Sequence, residues 1–134
     1  MDRADFIDLL NYDSANVLLL ENISRRYKTF LITGSPRHIS ISRLEKIGIS
    51  PNLFDYMDFG DNSQGNIKLD GSIYRIFLSS SPYPPENHVY IGDSRKSDIL
   101  PAKSLGMMTI AVGGEIEEAD ANVERLTDIE ELLL

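Results

Sequence analysis

The sequence of 134 residues contains no cysteine. Without a thiol the chain has no disulfide, no thiolate zinc site and no cysteine nucleophile, which excludes a disulfide-stabilised secreted scaffold. Long apolar runs are also missing, because the longest, Val17-Leu18-Leu19-Leu20, is far too short to span a bilayer. The opening Met1-Asp2-Arg3-Ala4-Asp5 lacks the basic and then apolar pattern of a signal peptide. We therefore expect a cytoplasmic protein that makes no membrane contact.

Positive charge is scarce. The sequence has 13 Lys and Arg against 21 Asp and Glu, a formal net charge of -8 at pH 7. Such a chain repels the backbone of a nucleic acid, and no basic stripe with interleaved aromatic residues opposes this repulsion locally. The nearest approach to a basic cluster, Arg25, Arg26 and Lys28, is predicted at a helix end, where cations favour the helix dipole. We expect a small-molecule or metal partner and no nucleic acid.

The composition is that of an ordinary globular domain. Apolar residues make up 42% of the sequence and charged residues 25%. A chain of this length buries roughly two thirds of its unfolded surface, which is enough for a conventional hydrophobic core. No internal repeat, low-complexity tract or linker divides the sequence. We therefore treat residues 1–134 as a single domain.

Strand-like and helix-like segments alternate along the chain. Runs rich in β-branched and aromatic residues predict strands at residues 27–33, 56–59, 89–91 and 107–112. Helices are predicted at residues 2–26 (two helices, broken around 11–14), 41–47, 73–77, 98–105 and 127–133. Residues 60–66 are all turn formers and predict a surface loop, and residues 115–122 are expected to be mobile. The alternation predicts a parallel sheet with helices on both faces.

Two carboxylates follow the strand at residues 89–91. Gly92 allows a sharp turn, and Asp93 and Asp98 come five positions apart before a helix. Because ligands of open parallel sheets bind at the carboxyl ends of strands, we expect Asp93 at the strand tip and Asp98 turned back over it. Two hard oxygen donors suit a magnesium ion that holds a phosphate. The alternative is purely structural, with Asp98 as a helix cap and Asp93 as a turn residue.

Three segments occur in an informative order. Residues 30–35 end a strand with a hydroxyl, residues 68–75 place a lysine before a helix, and residues 91–98 supply the two acids. This order, with the flanking run at residues 101–112, resembles the haloacid dehalogenase superfamily of phosphohydrolases over roughly residues 14–134. The similarity is greatest to the branch with a helical cap that contains phosphoglycolate phosphatases and pyrimidine nucleotidases. The resemblance implies a three-layer α/β/α Rossmann-like fold.

The resemblance also implies roles in binding phosphate. Thr33 matches the hydroxyl that donates a hydrogen bond to the substrate phosphate, assisted by the backbone N–H groups of Gly34 and Ser35 at a helix start. Lys68 matches the lysine that neutralises phosphate charge in the transition state. The implied substrate is a small phosphorylated metabolite.

For the acids, the resemblance implies a magnesium site. Asp93 matches the Mg²⁺ ligand. Asp98 matches the second acid, which contributes to the metal site or braces the metal shell or Lys68. Lys68 and Asp98 are thus the catalytic candidates, and Asp93 and Asp98 the metal candidates.

The chain departs from the family at its first motif. That motif, an Asp-x-Asp at the tip of a mid-sheet strand, supplies the aspartyl nucleophile and the general acid, and no Asp-x-Asp precedes Thr33 here. One explanation is that residues 2–13 are the end of a helical cap and that this chain is the carboxyl-terminal part of a longer enzyme. Alternatively, residues 4–10 are a degenerate first motif, with Asp8 in the nucleophile position. Helical spacing favours the cap remnant.

Two functions follow as hypotheses. In the first, the chain is a phosphohydrolase-like domain that binds Mg²⁺ and a phosphorylated metabolite, with weak or no hydrolysis because the nucleophile motif is missing. In the second, it is a non-catalytic interaction protein that dimerises through an exposed sheet edge or helix face, since a missing central strand leaves backbone groups unpaired. An amino-terminal fragment that complements the fold is a further predicted partner.

Overall fold

The structure, a computed structural model, describes residues 14–134. The predicted first helix and the alternative first motif at residues 4–10 lie outside the described residues. No helix within residues 14–134 has the length and apolar character needed to cross a membrane.

Helices and strands alternate as predicted. The helices are α1 Ser14–Arg26, α2 Arg37–Lys46, α3 Ser72–Ser80, α4 Leu100–Ser104 and α5 Glu130–Leu133. The strands are β1 Phe30–Ile32, β2 Tyr56–Asp58, β3 Val89–Gly92, β4 Met108–Val112 and β5 Ala121–Val123. A π-helical turn, Arg95–Ile99, leads into α4, and a 3-10 turn, Leu126–Ile129, leads into α5.

The strand β5 corrects the expectation that residues 115–122 are mobile. It pairs in parallel with β4, with Ile110 opposite Ala121. Asp120 holds the preceding loop, because its Oδ2 accepts a hydrogen bond from the backbone N of Thr109 at 2.8 Å and its Oδ1 accepts one from Lys103 Nζ at 2.9 Å. The spacing of apolar residues carries no information about hydrogen bonds made by a polar loop. This strand was therefore not predicted from the sequence.

The strands form two separate parallel groups. β1 pairs with β2, with Leu31 opposite Met57, and β3, β4 and β5 form a second sheet in that order. Within residues 14–134 no strand pairs with both β1 and β3. Within the described residues the two groups are therefore not joined by a shared strand, in agreement with the expectation that the usual first strand is missing.

Apolar layers cover both faces of the two sheets. The layer that contains α1 and the 3-10 turn comprises Leu19, Leu20, Ile23, Leu31, Leu44, Ile110, Val112, Leu126 and Ile129. The opposite layer, built on α3 and α4, comprises Ile32, Ile73, Tyr74, Phe77, Tyr90 and Ala102. Consecutive strand residues such as Leu31 and Ile32 enter opposite layers, as the two-residue period of a strand requires. The three-layer α/β/α architecture is confirmed.

We predict that the stability contributed by Asp120 depends on pH. The hydrogen bond from Lys103 holds the pKa of Asp120 below its ordinary value, and hydrogen bonds from Thr109 act in the same direction. A carboxyl whose pKa is lowered by folding stabilises the fold above its unfolded pKa, and this stabilisation is lost as the pH falls through the folded value. Asp120→Asn should therefore lower the free energy of unfolding at neutral pH by about 1 kcal/mol.

The difference between the parent chain and the Asp120→Asn variant should shrink as the pH falls from about 5 to about 2. Urea unfolding of both proteins across this range measures it. Lys103→Met removes the cation that lowers the pKa of Asp120. The free energy of unfolding of this variant should therefore also vary less with pH across this range. A difference that stays constant down to the lowest pH would contradict the prediction.

Candidate functional site

The end of β1 leads into a tight turn. Thr33 is fully buried, and its backbone N donates to the carbonyl oxygen of Asp58 at 3.2 Å. Its Oγ1 accepts a hydrogen bond from the backbone N of Ser35 at 3.1 Å. Gly60 crosses directly over this turn, since a Cβ on Gly60 would lie 2.0 Å from the carbonyl oxygen of Gly34. The turn is thus held by its own hydroxyl and by close backbone packing.

Asp98 returns over the end of β3, as predicted from its spacing. Its Oδ2 accepts hydrogen bonds from the backbone N of Asp93 at 3.2 Å and of Ser94 at 3.1 Å. Ser94 Oγ in turn accepts from the backbone N of Ser97 at 3.3 Å and caps the π-helical turn that carries Asp98. Gly92 is required here, because a Cβ at that position would lie 2.6 Å from three atoms of the Asp98 side chain.

The second oxygen of Asp98 contacts Lys68. The distance from Lys68 Nζ to Asp98 Oδ1 is 2.9 Å, and the two side chains are only 13% and 5% exposed. An ion pair this far from water is held strongly in place, because separating it would leave a buried charge without compensation. A lysine predicted in a loop before a helix therefore lies in contact with an acid predicted thirty positions later.

Lys68 is positioned by an ordered loop. Asn62 Nδ2 donates to the carbonyl oxygens of Phe59 at 2.9 Å and Asn66 at 2.8 Å, which closes the predicted turn-rich segment into a compact loop. Gly71 N donates to the carbonyl oxygen of Lys68 at 3.0 Å in the turn that starts α3. Gly71 has φ 77°, a left-handed conformation that glycine adopts without strain. Asn62 is a supporting residue that sequence reasoning did not identify.

Tyr90 connects Lys68 to β1. Lys68 Nζ lies 5.8 Å from the centroid of the Tyr90 ring, and Tyr90 OH donates to the carbonyl oxygen of Ile32 at 3.2 Å. Tyr74, fully buried below, donates its hydroxyl to the carbonyl oxygen of Ser97. Burial raises the pKa of Tyr74, so its hydroxyl stays protonated and remains a donor. Tyr90 was predicted in a strand and Tyr74 in a helix, but no pattern in the sequence indicated the hydrogen bonds that their hydroxyls donate.

The candidate residues form two groups. Lys68, Asp93 and Asp98 are joined through the carboxylate of Asp98. Thr33, Gly34 and Ser35 form the turn after β1, which the Tyr90 hydroxyl ties to β3 through the residue before Thr33. Within residues 14–134 no cluster of three or more His, Asp or Glu side chains is arranged to hold a metal ion.

The comparison with known families decides what this fold is. Residues 9–112 match the profile of the family described as haloacid dehalogenase-like hydrolase. The chain belongs to this family. The predicted resemblance and fold class are confirmed, and membership favours the hydrolase hypothesis over the non-catalytic interaction protein. No curated protein sequence matches the chain significantly.

Solved structures of haloacid dehalogenase-like proteins share the fold. YfnB from Bacillus subtilis, assigned as a HAD-hydrolase and bound to magnesium, has a TM-score of 0.79 at 19% identity over 89% of this chain and 53% of its own. A predicted phosphoglycolate phosphatase from Haemophilus somnus has a TM-score of 0.75 at 21% identity, covering 89% and 56%. A HAD phosphatase from Thermococcus onnurineus has a TM-score of 0.71 at 20% identity, covering 97% and 65%. This haloacid dehalogenase-like chain thus spans little more than half the length of the first two.

We predict that Gly92→Ala destabilises this haloacid dehalogenase-like fold. The new methyl group would displace the Asp98 carboxylate and strain the turn, which should cost about 2 kcal/mol or more. Gly114→Ala is the matched control, since Gly114 follows β4, has nothing within 4 Å of its Cβ position and lies outside the left-handed region. Urea unfolding of both variants measures the effect. Equal stabilities of the two would show that Asp98 moves aside freely.

We also predict that Lys68 and Asp98 stabilise the fold only as a pair. Lys68→Met leaves a buried carboxylate without its cation and should cost about 3 kcal/mol. The double variant Lys68→Met with Asp98→Asn should recover most of this loss, because the amide oxygen still accepts from the turn and no charge stays buried. Urea unfolding gives the coupling through a double-mutant cycle.

The exposed pair of Lys103 and Asp120 provides the comparison for this cycle. Its side chains are 41% and 28% exposed, so the coupling measured there should be below about 1 kcal/mol. Equal coupling in the two pairs would contradict the assignment of Lys68 and Asp98 as a buried pair.

Proposed function

We propose that this edge of the sheets binds the phosphate group of a small phosphorylated metabolite together with Mg²⁺, as part of a phosphomonoester hydrolase. The observation that carries the proposal is the buried pair of Lys68 and Asp98 beside Asp93, at the carboxyl end of β3. The carboxyl ends of parallel strands are where ligands of open α/β sheets bind. A lysine fixed at this edge offers a positive charge in a region of low dielectric, which suits a phosphate.

Each residue has a stated role. Lys68 neutralises phosphate charge, and Asp98 acts through it as a positioning residue, since its two oxygens accept from Lys68 and from the turn. The hydroxyl of Thr33 and the backbone N–H of Gly34 bind a phosphate oxygen. Ser35 N donates to Thr33 Oγ1 in this arrangement, so its role is to orient that hydroxyl.

The residues fit magnesium in donor chemistry. Mg²⁺ prefers oxygen ligands and is commonly held by one or two carboxylates together with substrate phosphate and water. Asp93, half-buried at the end of β3, would supply the first carboxylate. Direct ligation by Asp98 stays a prediction, because both of its oxygens already accept hydrogen bonds. The ion, when bound, would offset phosphate charge and polarise the bond that is cleaved.

Hydrolysis needs a nucleophile besides this binding site. The sequence has no Asp-x-Asp before Thr33, so the aspartyl nucleophile and the general acid of the family have no matched positions. We therefore propose that the chain binds phosphate and that its hydrolysis is weak or absent until such a motif is supplied. Phosphatases among the matched structures support phosphate esters as the substrate class.

The proposed function can be tested by comparing the phosphate affinities of two double variants with that of the parent chain. The parent chain should bind inorganic phosphate in the presence of Mg²⁺, measured by calorimetry. Replacing Lys68 by Met and Asp98 by Asn should weaken this binding at least about tenfold, because the fixed cation is lost while the turn is kept.

The matched control removes the ion pair of Lys103 and Asp120 by the same two substitutions, which changes net charge equally. Its affinity for phosphate should stay close to that of the parent. Equal weakening in both double variants, or no phosphate binding by the parent with Mg²⁺, would contradict the proposed function.

A further inference from the structure

A serine and a histidine are in contact at the amino end of β3, away from the candidate phosphate site. The distance from Ser81 Oγ to His88 Nε2 is 2.7 Å. His88 directly precedes β3, whereas Asp93 directly follows it. Because a strand rises about 3.3 Å per residue, roughly 16 Å separates the backbones of His88 and Asp93. This contact is therefore distinct from the phosphate site at the carboxyl end of the strand.

The surroundings of His88 assign the proton in its neutral imidazole to one ring nitrogen. Nδ1 lies 2.9 Å from the carbonyl oxygen of Pro84 and 3.2 Å from that of Pro85. Carbonyl oxygens only accept hydrogen bonds, so Nδ1 is the donor. The other nitrogen of a neutral imidazole then carries a lone pair. His88 Nε2 therefore presents an acceptor to Ser81.

The hydroxyl of Ser81 is oriented from its other side by the backbone. Its oxygen accepts a hydrogen bond from the backbone N of Tyr83 at 3.3 Å. The hydroxyl hydrogen is then directed at the lone pair of His88 Nε2. A nucleophile and a base within about 2.6–3.2 Å of each other, with the base oriented by a third group, are the signature of an activated nucleophile. The carbonyl oxygens that accept from Nδ1 are that third group here.

Aromatic rings hold the imidazole in place. His88 is only 7% exposed. The centroid of its ring lies 5.3 Å from that of Phe77 and 6.4 Å from that of Tyr83, with the planes at 85° and 70°. Such edge-to-face contacts are favourable for aromatic rings, and a base that is already fixed loses little entropy on reaction. These neighbours are uncharged, so they suit a neutral ester better than an anionic phosphoryl donor.

The end of α3 favours the charge that forms when His88 accepts a proton. Ser81 caps the carboxyl end of α3, and its backbone N donates to the carbonyl oxygen of Leu78 at 3.2 Å. The carboxyl end of a helix carries partial negative charge and stabilises a nearby cation. An imidazolium at His88, in contact with the capping residue, is such a cation.

We propose that Ser81 and His88 form a nucleophilic dyad that takes an acyl group from an activated carboxylic ester. Ser81 Oγ attacks the carbonyl carbon, and the new bond from Oγ to that carbon replaces the bond to the leaving oxygen. The proton of the Ser81 hydroxyl passes to His88 Nε2 and then to the leaving oxygen, which departs as an alcohol. The products are an ester on Ser81 and the free alcohol. This reaction does not depend on the proposed phosphate site.

The experiment treats the complete 134-residue chain with p-nitrophenyl acetate and locates the acetyl groups by peptide mapping in a mass spectrometer. Ser79 and Ser80 are internal controls, because their hydroxyls donate to the carbonyl oxygens of Ile76 at 2.7 Å and Phe77 at 2.9 Å. Both controls are more exposed than Ser81. Ser81 should nevertheless be acetylated at least about a hundredfold faster, because a positioned base contributes roughly 10²–10⁴-fold.

The variant His88→Asn tests the base. The amide of asparagine can still donate to the carbonyl oxygen of Pro84, but it places no nitrogen where Nε2 contacts Ser81. Acetylation of Ser81 should therefore slow at least about a hundredfold. The matched control is His38→Asn, at the exposed histidine of α2, which should leave the rate at Ser81 unchanged.

Either of two results would overturn the proposal. One is acetylation of Ser79 or Ser80 in the parent chain as fast as that of Ser81. The other is an unchanged rate at Ser81 in the folded His88→Asn variant. The comparison among the three serines uses the parent chain alone, so it decides the question even if the variant does not fold.

Discussion

The carboxylate of Asp98 connects three segments that are distant in sequence. It accepts hydrogen bonds from the turn after β3 and from Lys68, which comes from the loop before α3. A carboxylate only 5% exposed is stable in this position only when every donor is in place. Asp98 can occupy this position only if the turn donates to it, the loop places Lys68 beside it and Gly92 has no Cβ. The charge distribution of the candidate site depends on all three.

The features of this arrangement that the sequence predicted correctly are those that depend on residues close together in the chain. The apolar run at Val89 to Ile91, the glycine after it and the spacing of Asp93 and Asp98 predicted a strand, a turn and a carboxylate folded back over the strand end, and the hydrogen bonds confirm that geometry. The resemblance added Lys68, whose contact with Asp98 no local pattern could predict. A contact between side chains that are distant in sequence can be predicted only from a known fold or from a family resemblance.

The features that the sequence did not predict, β5 and the closed Lys68 loop, depend on hydrogen bonds made by polar side chains in loops. The strand β5 forms because Asp120 bonds to Thr109 and Lys103, and the Lys68 loop is closed by Asn62. Side chains of Asp and Asn compete for backbone groups in many turn geometries, so composition alone predicts a loop and not its shape. The order of such a segment depends on partners that only the folded chain supplies.

The division of the sheet also divides the site. Thr33 and Gly34 belong to the group of β1 and β2, whereas Asp93 and Asp98 belong to the group of β3 to β5. The two groups meet through the hydroxyl of Tyr90, which donates to the carbonyl oxygen of Ile32, and through the rings of Phe30 and Tyr90, whose centroids lie 6.1 Å apart.

Aromatic packing and one neutral hydrogen bond constrain relative position less than a shared hydrogen-bond ladder does, because a ladder fixes both spacing and register. Under the proposed function, a phosphate that contacts both Thr33 and Lys68 would bind across this junction. Its affinity therefore includes the free energy of holding the two groups at one separation, and any strand that pairs with both β1 and β3 lowers that cost before the ligand arrives. Positioning of the two groups and binding of the ligand are therefore thermodynamically coupled.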